Sequence, residues 1–309
     1  MSLELFNNPG NAPVELIESF PGNITLFLKR EDQLHPQVSG NKWRKLKYNM
    51  IRALETNQPR IFTFGGAFSN HIYATAAAGA AYRVPTIGFI RGEVLQPLND
   101  TLEQAASWGM KLVALSREDY RKKSDPEFLD QLVSGYGKGY VIPEGGTNSL
   151  AIKGCAEIPD TTESYDYWCV SCGTGGTLAG LVVGLKQPSM VMGFPALKGG
   201  GFLENEIGKY LIEHEVDPSV SWQLITEYQF GGYAKISLEV IEFIRYFNSR
   251  YKILLDPIYT GKMMYGIFDM IEKGYFKANS RILALHTGGL QGISGIEKKQ
   301  GIKIKYHYI

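Results

Sequence analysis

The sequence predicts an α/β protein: two open, mainly parallel three-layer α/β domains with the active site in the cleft between them. Three observations predict this. Short apolar runs of strand length alternate with helical patterns along nearly the whole chain. The runs stop at loops that then open helices, as parallel strands joined by helical crossovers require. With 309 residues, the chain can bury a sizeable core and divides most naturally into two domains.

In chain order, residues 24–28 read as a first strand that ends at Lys29-Arg30-Glu31-Asp32. A helix is expected over 43–55, because Leu46, Met50 and Leu54 recur at helical spacing, with Asn41 able to cap it. Strand 60–64 stops at Gly65-Gly66, and an alanine-rich helix follows over 70–82. Strands at 86–90 and 111–115 flank a helix near 101–108. A further helix is broken near Asp125-Pro126 and runs on to Val133. Residues 140–143 close this unit, with 144–148 as its exit loop. The second unit repeats the logic, with strands at 166–171, 189–194, 221–226, 252–255 and 281–286. Its clearest helices are 236–247 and 262–272. In open sheets of this kind, ligands bind at the carboxyl ends of the strands.

Composition narrows the function classes. A net charge of +1 gives no global field toward nucleic acid or membrane. No apolar run reaches spanning length, and the start Met1-Ser2-Leu3-Glu4 lacks a basic-then-apolar leader, so a cytoplasmic location is expected. Cys169 and Cys172 form a C-x-x-C, but no second pair exists and the five histidines are scattered. That spacing offers no four-ligand zinc site, and Cys169 reads as a buried strand residue.

Chemistry concentrates in loops that end strands and open helices. Ser39-Gly40-Asn41-Lys42-Trp43-Arg44-Lys45-Leu46 packs three cations into four residues at a helix start, where the amide end already carries positive partial charge. It reads either as a solvated basic helix start or as a site where Lys42 forms an imine with an aldehyde cofactor. On the second reading, Lys45, one turn on, faces a phosphate. Ser171-Cys172-Gly173-Thr174-Gly175-Gly176-Thr177 turns tightly into a helix and suits one compact phosphate, or is a glycine-rich turn without a ligand. It is neither a dinucleotide fingerprint nor a Walker loop. Gly65-Gly66-Ala67-Phe68-Ser69-Asn70-His71 offers Ser69 or Asn70 as an N-cap, and exposed amides on which a small carboxylate could rest. Asp256-Pro257-Ile258-Tyr259-Thr260-Gly261-Lys262 and His286-Thr287-Gly288-Gly289 end strands at the same level.

In this order, and over nearly the whole chain, the segments G-N-K-x-R-K-L, G-G-x-x-S-N-H, T-G-G-T, D-P-x-Y-x-G-K and H-T-G-G resemble the 1-aminocyclopropane-1-carboxylate (ACC) deaminase and D-cysteine desulfhydrase family. These are pyridoxal-phosphate enzymes of the tryptophan-synthase-β fold, fold type II. The resemblance implies a large cofactor-binding domain of residues 1–46 and 147–309, a small domain of 47–146, and a homodimer. It implies that Lys42 is the Schiff-base lysine and Lys45 a phosphate contact, with Thr174, Gly175, Gly176 and Thr177 as the phosphate cup. Asn70 would bond the ring hydroxyl of the cofactor, and Thr260 would face its pyridine nitrogen. Ser69, Asn70, His71, Tyr259 and Thr287 would bind substrate, and Tyr233 and Tyr259 match the two active-site tyrosines. Phe68 departs from the family, which has glutamine there, at the expense of one polar contact near the substrate.

The implied reaction is deamination of a small amino acid, with Lys42 moving a proton. ACC deaminases resemble this chain but carry glutamate where Thr260 stands. A hydroxyl does not hold a ring nitrogen protonated as a carboxylate does. The expectation is therefore β-elimination of the D-cysteine desulfhydrase type, giving pyruvate, ammonia and sulfide. ACC deamination to 2-oxobutanoate and ammonia is the alternative within the class. A protein that binds pyridoxal phosphate or an amino acid with little turnover is the alternative from another class.

Overall fold

The computed structural model describes residues 4–7, 12–159 and 162–304. Its strands, in chain order, are β1 (Val14–Phe20), β2 (Ile24–Lys29), β3 (Ile61–Gly65), β4 (Thr86–Arg91) and β5 (Lys111–Leu115), then β6 (Tyr140–Ile142), β7 (Tyr167–Cys172), β8 (Ser189–Pro195), β9 (Val220–Leu224) and β10 (Arg281–Leu285). They form a six-stranded sheet, β1-β2-β10-β7-β8-β9, and a four-stranded sheet, β5-β4-β3-β6. Every pairing is parallel except β1 with β2.

Alternation along the central strands buries both faces of the large sheet. Trp168 and Val170 of β7 join Leu283 and Leu285 of β10 in one core, while Cys169, Ile282 and Ala284 join a second core on the other face. Helices Gly176–Gly184 and Ser149–Cys155 close the first face, and Leu238–Tyr251 and Thr260–Glu272 close the second. Fully burying such a side chain contributes about 1.5–3 kcal/mol. The strands whose carboxyl ends meet the cleft are therefore also the best-held ones.

Two expectations need correction. Strand β1 was not legible, because a bulge between Leu16 and Glu18 breaks its period of two, leaving Leu16 61% exposed and Ile17 buried. Conversely, 252–255 pairs with no strand, although Ile253 and Leu255 are buried. The carbonyl of Leu254 accepts from His286 Nε2 at 2.8 Å, so a side chain takes the place of a ladder partner. A carbonyl can only accept, which fixes the His286 proton on Nε2.

Two connections join the sheets: the helix Asn41–Glu55 leads out to β3, and the helix Ser149–Cys155 leads back. They pack so closely that a Cβ on Gly154 would lie 2.0 Å from the Arg44 carbonyl oxygen. Buried Glu31 accepts from Arg44 Nε and Nη2 at 2.9 and 3.0 Å, which fixes the first helix to the large sheet. Among the described residues no helix is long and apolar enough to cross a membrane. Cys155, Cys169 and Cys172 are free and buried, and burial pushes the Cys155 thiol up to about 11 and the Cys172 thiol up to about 12.

Candidate active site

A cleft of about 820 Å³ opens where the strand ends of the two sheets face each other. Phe64, Arg91 and Glu144 line it from the small sheet, and Ser171, Thr174, Tyr233, Tyr259 and Thr287 line it from the large one. The volume suits a cofactor together with a small substrate.

Lys42 reaches this cleft through an unusual helix start. Gly40 occupies the cap position with φ 63° and ψ −142°, and a Cβ there would lie 2.0 Å from the Thr287 carbonyl oxygen. Only glycine can combine that conformation with that approach. Asn41 is thus not the cap the sequence suggested. Its amide nitrogen donates to Thr177 Oγ1 at 2.9 Å, and its Oδ1 accepts from Lys42 Nζ at 3.0 Å. Burial, and then the nearby Lys45 ammonium, pull the Lys42 pKa down to about 7.

Lys45 is the more telling group. It is 2% exposed, and its Nζ donates to Thr147 Oγ1 at 2.9 Å, the Gly145 carbonyl at 3.2 Å and Thr174 Oγ1 at 3.3 Å. All three partners are neutral, and a buried ammonium without a counter-ion is costly. Beside it, Gly175 turns left-handed at φ 77° and the helix Gly176–Gly184 begins, with its amides toward the cleft end. A Cβ on Gly176 would come within 3.2 Å of Lys45 Nζ, so the glycine keeps this corner open. A cation lacking an anion, beside a glycine turn at a helix start, fits a phosphate.

The remaining expected residues divide. Ser69 caps the helix Asn70–Tyr82, accepting from the Ile72 amide at 3.3 Å, and Ser69, Asn70 and His71 all line the cleft. His71 Nε2 lies 2.7 Å from Thr63 Oγ1, whose own proton goes to the Ile142 carbonyl at 2.9 Å. Nε2 therefore carries the ring proton, and Nδ1, buried and without a hydrogen-bond partner, is left as an acceptor. Burial, then Lys42 and Lys45, hold the His71 pKa well below the usual range. Tyr233 and Tyr259 meet edge to face with ring centroids 6.2 Å apart, and burial raises both phenols, Tyr259 well above the ordinary value. Thr287 lines the cleft with its Oγ1 3.3 Å from Ser171 Oγ.

Thr260 does not reach the wall. It is fully buried, its hydroxyl donates to Asp256 Oδ2 at 2.6 Å, and it accepts from the Asp256 amide at 2.9 Å. Asp256 also accepts from the amides of Ile258, Tyr259 and Thr260 at 3.0, 2.8 and 2.9 Å, and so caps the helix Thr260–Glu272. Phe68 likewise turns away from the cleft: a Cβ on Gly295 would meet its ring at 3.0 Å. Thr147 and Gln291, whose amide donates to Asn70 Oδ1, were not foreseen. They lie 102 and 221 residues from the groups they position, and nothing local announces them.

Comparison with known proteins supplies the family. The model of the pyridoxal-phosphate-dependent enzymes matches residues 5–288. The chain belongs to that family. It is 29% identical to the bifunctional D-cysteine desulfhydrase/1-aminocyclopropane-1-carboxylate deaminase of Arabidopsis thaliana, over 90% of this chain and 75% of that protein. It is 27% identical to the 1-aminocyclopropane-1-carboxylate deaminase of Bradyrhizobium diazoefficiens, over 93% and 94%. A crystal structure of an ACC deaminase homologue superposes with a TM-score of 0.77 at 27% identity, covering 94% of this chain and 96% of that one. The fold is the type II fold of pyridoxal-phosphate enzymes.

For a pyridoxal-phosphate enzyme the Lys42 pKa makes a kinetic prediction. Were Lys42 the lysine that takes the aldehyde, addition would need its neutral amine, which a pKa of about 7 would set at about a tenth at pH 6 and about nine-tenths at pH 8. Uptake of pyridoxal phosphate by the apoprotein, followed by absorbance, should speed up about tenfold over that interval and then level off. A rate still climbing tenfold per pH unit at pH 9 would mean an ordinary lysine.

Proposed function

We propose that this chain is a deaminating lyase that eliminates a thiolate from Cβ of a small amino acid. The reaction is of the D-cysteine desulfhydrase type: cysteine and water give pyruvate, ammonia and sulfide. On the same reading it works as a cytoplasmic homodimer, with residues 1–46 and 147–309 as the cofactor-binding domain and 47–146 as the small domain.

One observation carries the choice of reaction. Where the chain opens the helix Thr260–Glu272, no carboxylate is free to face the cofactor's ring nitrogen: Thr260 is turned inward, and the Asp256 carboxylate is filled by three amides and that threonine's hydroxyl. Neither residue lines the cleft. A ring nitrogen with no carboxylate beside it is not held protonated, which suits elimination of a good leaving group better than opening of an unactivated cyclopropane.

When bound, pyridoxal phosphate supplies a conjugated ring that weakens the bonds at the amino acid's Cα. Lys42 would hold its aldehyde, Lys45 with Thr174, Gly175, Gly176 and Thr177 would hold its phosphate, and Asn70 would bond its ring hydroxyl. The Ser69 hydroxyl and the amide end of the helix behind it receive the substrate carboxylate, with His71 and Thr287 beside it. Lys42, with its pKa near 7, takes the Cα proton and can return it. Tyr233 and Tyr259 have raised pKa values, stay protonated at neutral pH and can donate to the departing sulfur.

The double name of the Arabidopsis relative favours a second reading, opening of ACC to 2-oxobutanoate and ammonia. A leaving-group series tests the first. With β-chloroalanine, cysteine and serine of one configuration, kcat/KM should fall steeply from chloride and thiol to hydroxyl. Equal rates across the series would contradict a role for the leaving group. Retained cofactor with no turnover of any substrate would point to a binding protein.

A further inference from the structure

Residues 225–237 join β9 to the helix Leu238–Tyr251 without a helix or strand of their own, and they carry Tyr233 to the cleft. Around Tyr233 the backbone is left-handed at Phe230 (φ 47°), Gly231 (φ 81°), Gly232 (φ 107°) and Ala234 (φ 56°). Phe230 and Ala234 carry side chains that disfavour this conformation, so local preference does not hold the loop in shape.

Lys262 is the third residue of the helix Thr260–Glu272, at the end where a cation is least welcome, and it is 2% exposed. Burial lowers its pKa to about 8, and Asp256 is the charged group that opposes the shift. Its Nζ donates to the carbonyls of Gln229 at 2.8 Å and Gly232 at 2.9 Å. Those same carbonyls close the turn, accepting from the amides of Gly232 and Lys235 at 3.0 and 3.2 Å. The Gln229 side chain extends the tie, donating to the Thr226 carbonyl at 2.9 Å and accepting from the Gly199 amide at 3.2 Å.

We propose that Lys262 is a positioning residue: its buried ammonium pins the Gln229 and Gly232 carbonyls and thereby holds Tyr233 against Tyr259 at the cleft. The inference rests on the role given above to Tyr233. It gives a role to a lysine that stands where both burial and the helix end oppose it.

The test uses the holoenzyme with Lys262→Met, Lys262→Arg, Tyr233→Phe and the double variant Lys262→Met/Tyr233→Phe. Amide hydrogen exchange of peptides covering 226–236 should be at least about tenfold faster in Lys262→Met, because two charge-assisted hydrogen bonds are lost. Lys262→Arg, which keeps the charge, should recover part of that protection. Turnover should fall about tenfold in Lys262→Met, and Tyr233→Phe should cost much less in that background than in wild type. Unchanged exchange in Lys262→Met overturns the clamp. Faster exchange with fully additive effects on turnover overturns the link to Tyr233. A silent Tyr233→Phe overturns the tyrosine's role and the positioning claim with it, and the exchange data then still report on the clamp separately. If Lys262→Met is not recovered folded, Lys262→Gln, which removes the charge and keeps a polar side chain, takes its place in the same comparison, and wild-type exchange in Lys262→Gln together with a fully additive cycle overturns the proposal.

Discussion

Lys42→Ala should abolish covalent retention of pyridoxal phosphate and lower turnover by at least about 10³-fold, the upper range for loss of a positioned proton-transfer group. The amine stands on the cleft wall with Asn41 Oδ1 as its hydrogen-bond partner, and burial brings its pKa to about 7. Borohydride reduction of the wild-type protein should fix the cofactor to a single peptide, the one bearing Lys42. The variant should lose that adduct while keeping its fold, because the helix is anchored by Gly40 on the Thr287 carbonyl and by Arg44 on Glu31. An adduct on Lys29, Lys45 or Lys47 would displace the assignment.

Lys45→Met should leave the chain folded and weaken cofactor retention by about ten- to a hundredfold, corresponding to about 1.5–3 kcal/mol for a charge-assisted hydrogen bond. Methionine nearly preserves the volume and leaves Thr147 and Thr174 bonded to each other. Without ligand, the variant should be as stable as wild type or more so, since a buried cation with neutral partners has been removed. The combination separates a ligand site from a structural one. A protein that is destabilised while its cofactor affinity is unchanged would show that Lys45 serves the fold.

Much of this was legible in the sequence because strands, glycine turns and helix caps are local. Strands β3, β4, β5, β7 and β10 follow from apolar runs bounded by turn residues. Lys42 and Lys45 share a helix face because they are three residues apart. What was not legible depends on distant or competing partners. Asp256 is four residues from Thr260, yet its three amide bonds and the threonine hydroxyl form a closed cap that withdraws Thr260 from the cleft. This alters what substitution there should do. Thr260→Glu would set a second buried carboxylate against Asp256 and cost stability, instead of placing a charge at the cofactor ring. The family resemblance implies that Phe68 stands beside the substrate, but its ring packs toward Gly295 from the last helix, Ile293–Gln300. Gln291, from the same end of the chain, reaches Asn70. Strand β1 was hidden by its bulge and its exposure at the sheet edge.

The most direct measurement of the proposed activity is product analysis of the wild-type holoenzyme, supplied side by side with D-cysteine and with ACC at matched concentrations. A thiolate elimination predicts sulfide and pyruvate in equal amounts from D-cysteine and little or no 2-oxobutanoate from ACC. Efficient release of 2-oxobutanoate would contradict it, because ring opening would then proceed with Thr260 in place and Asp256 fully engaged in capping its helix.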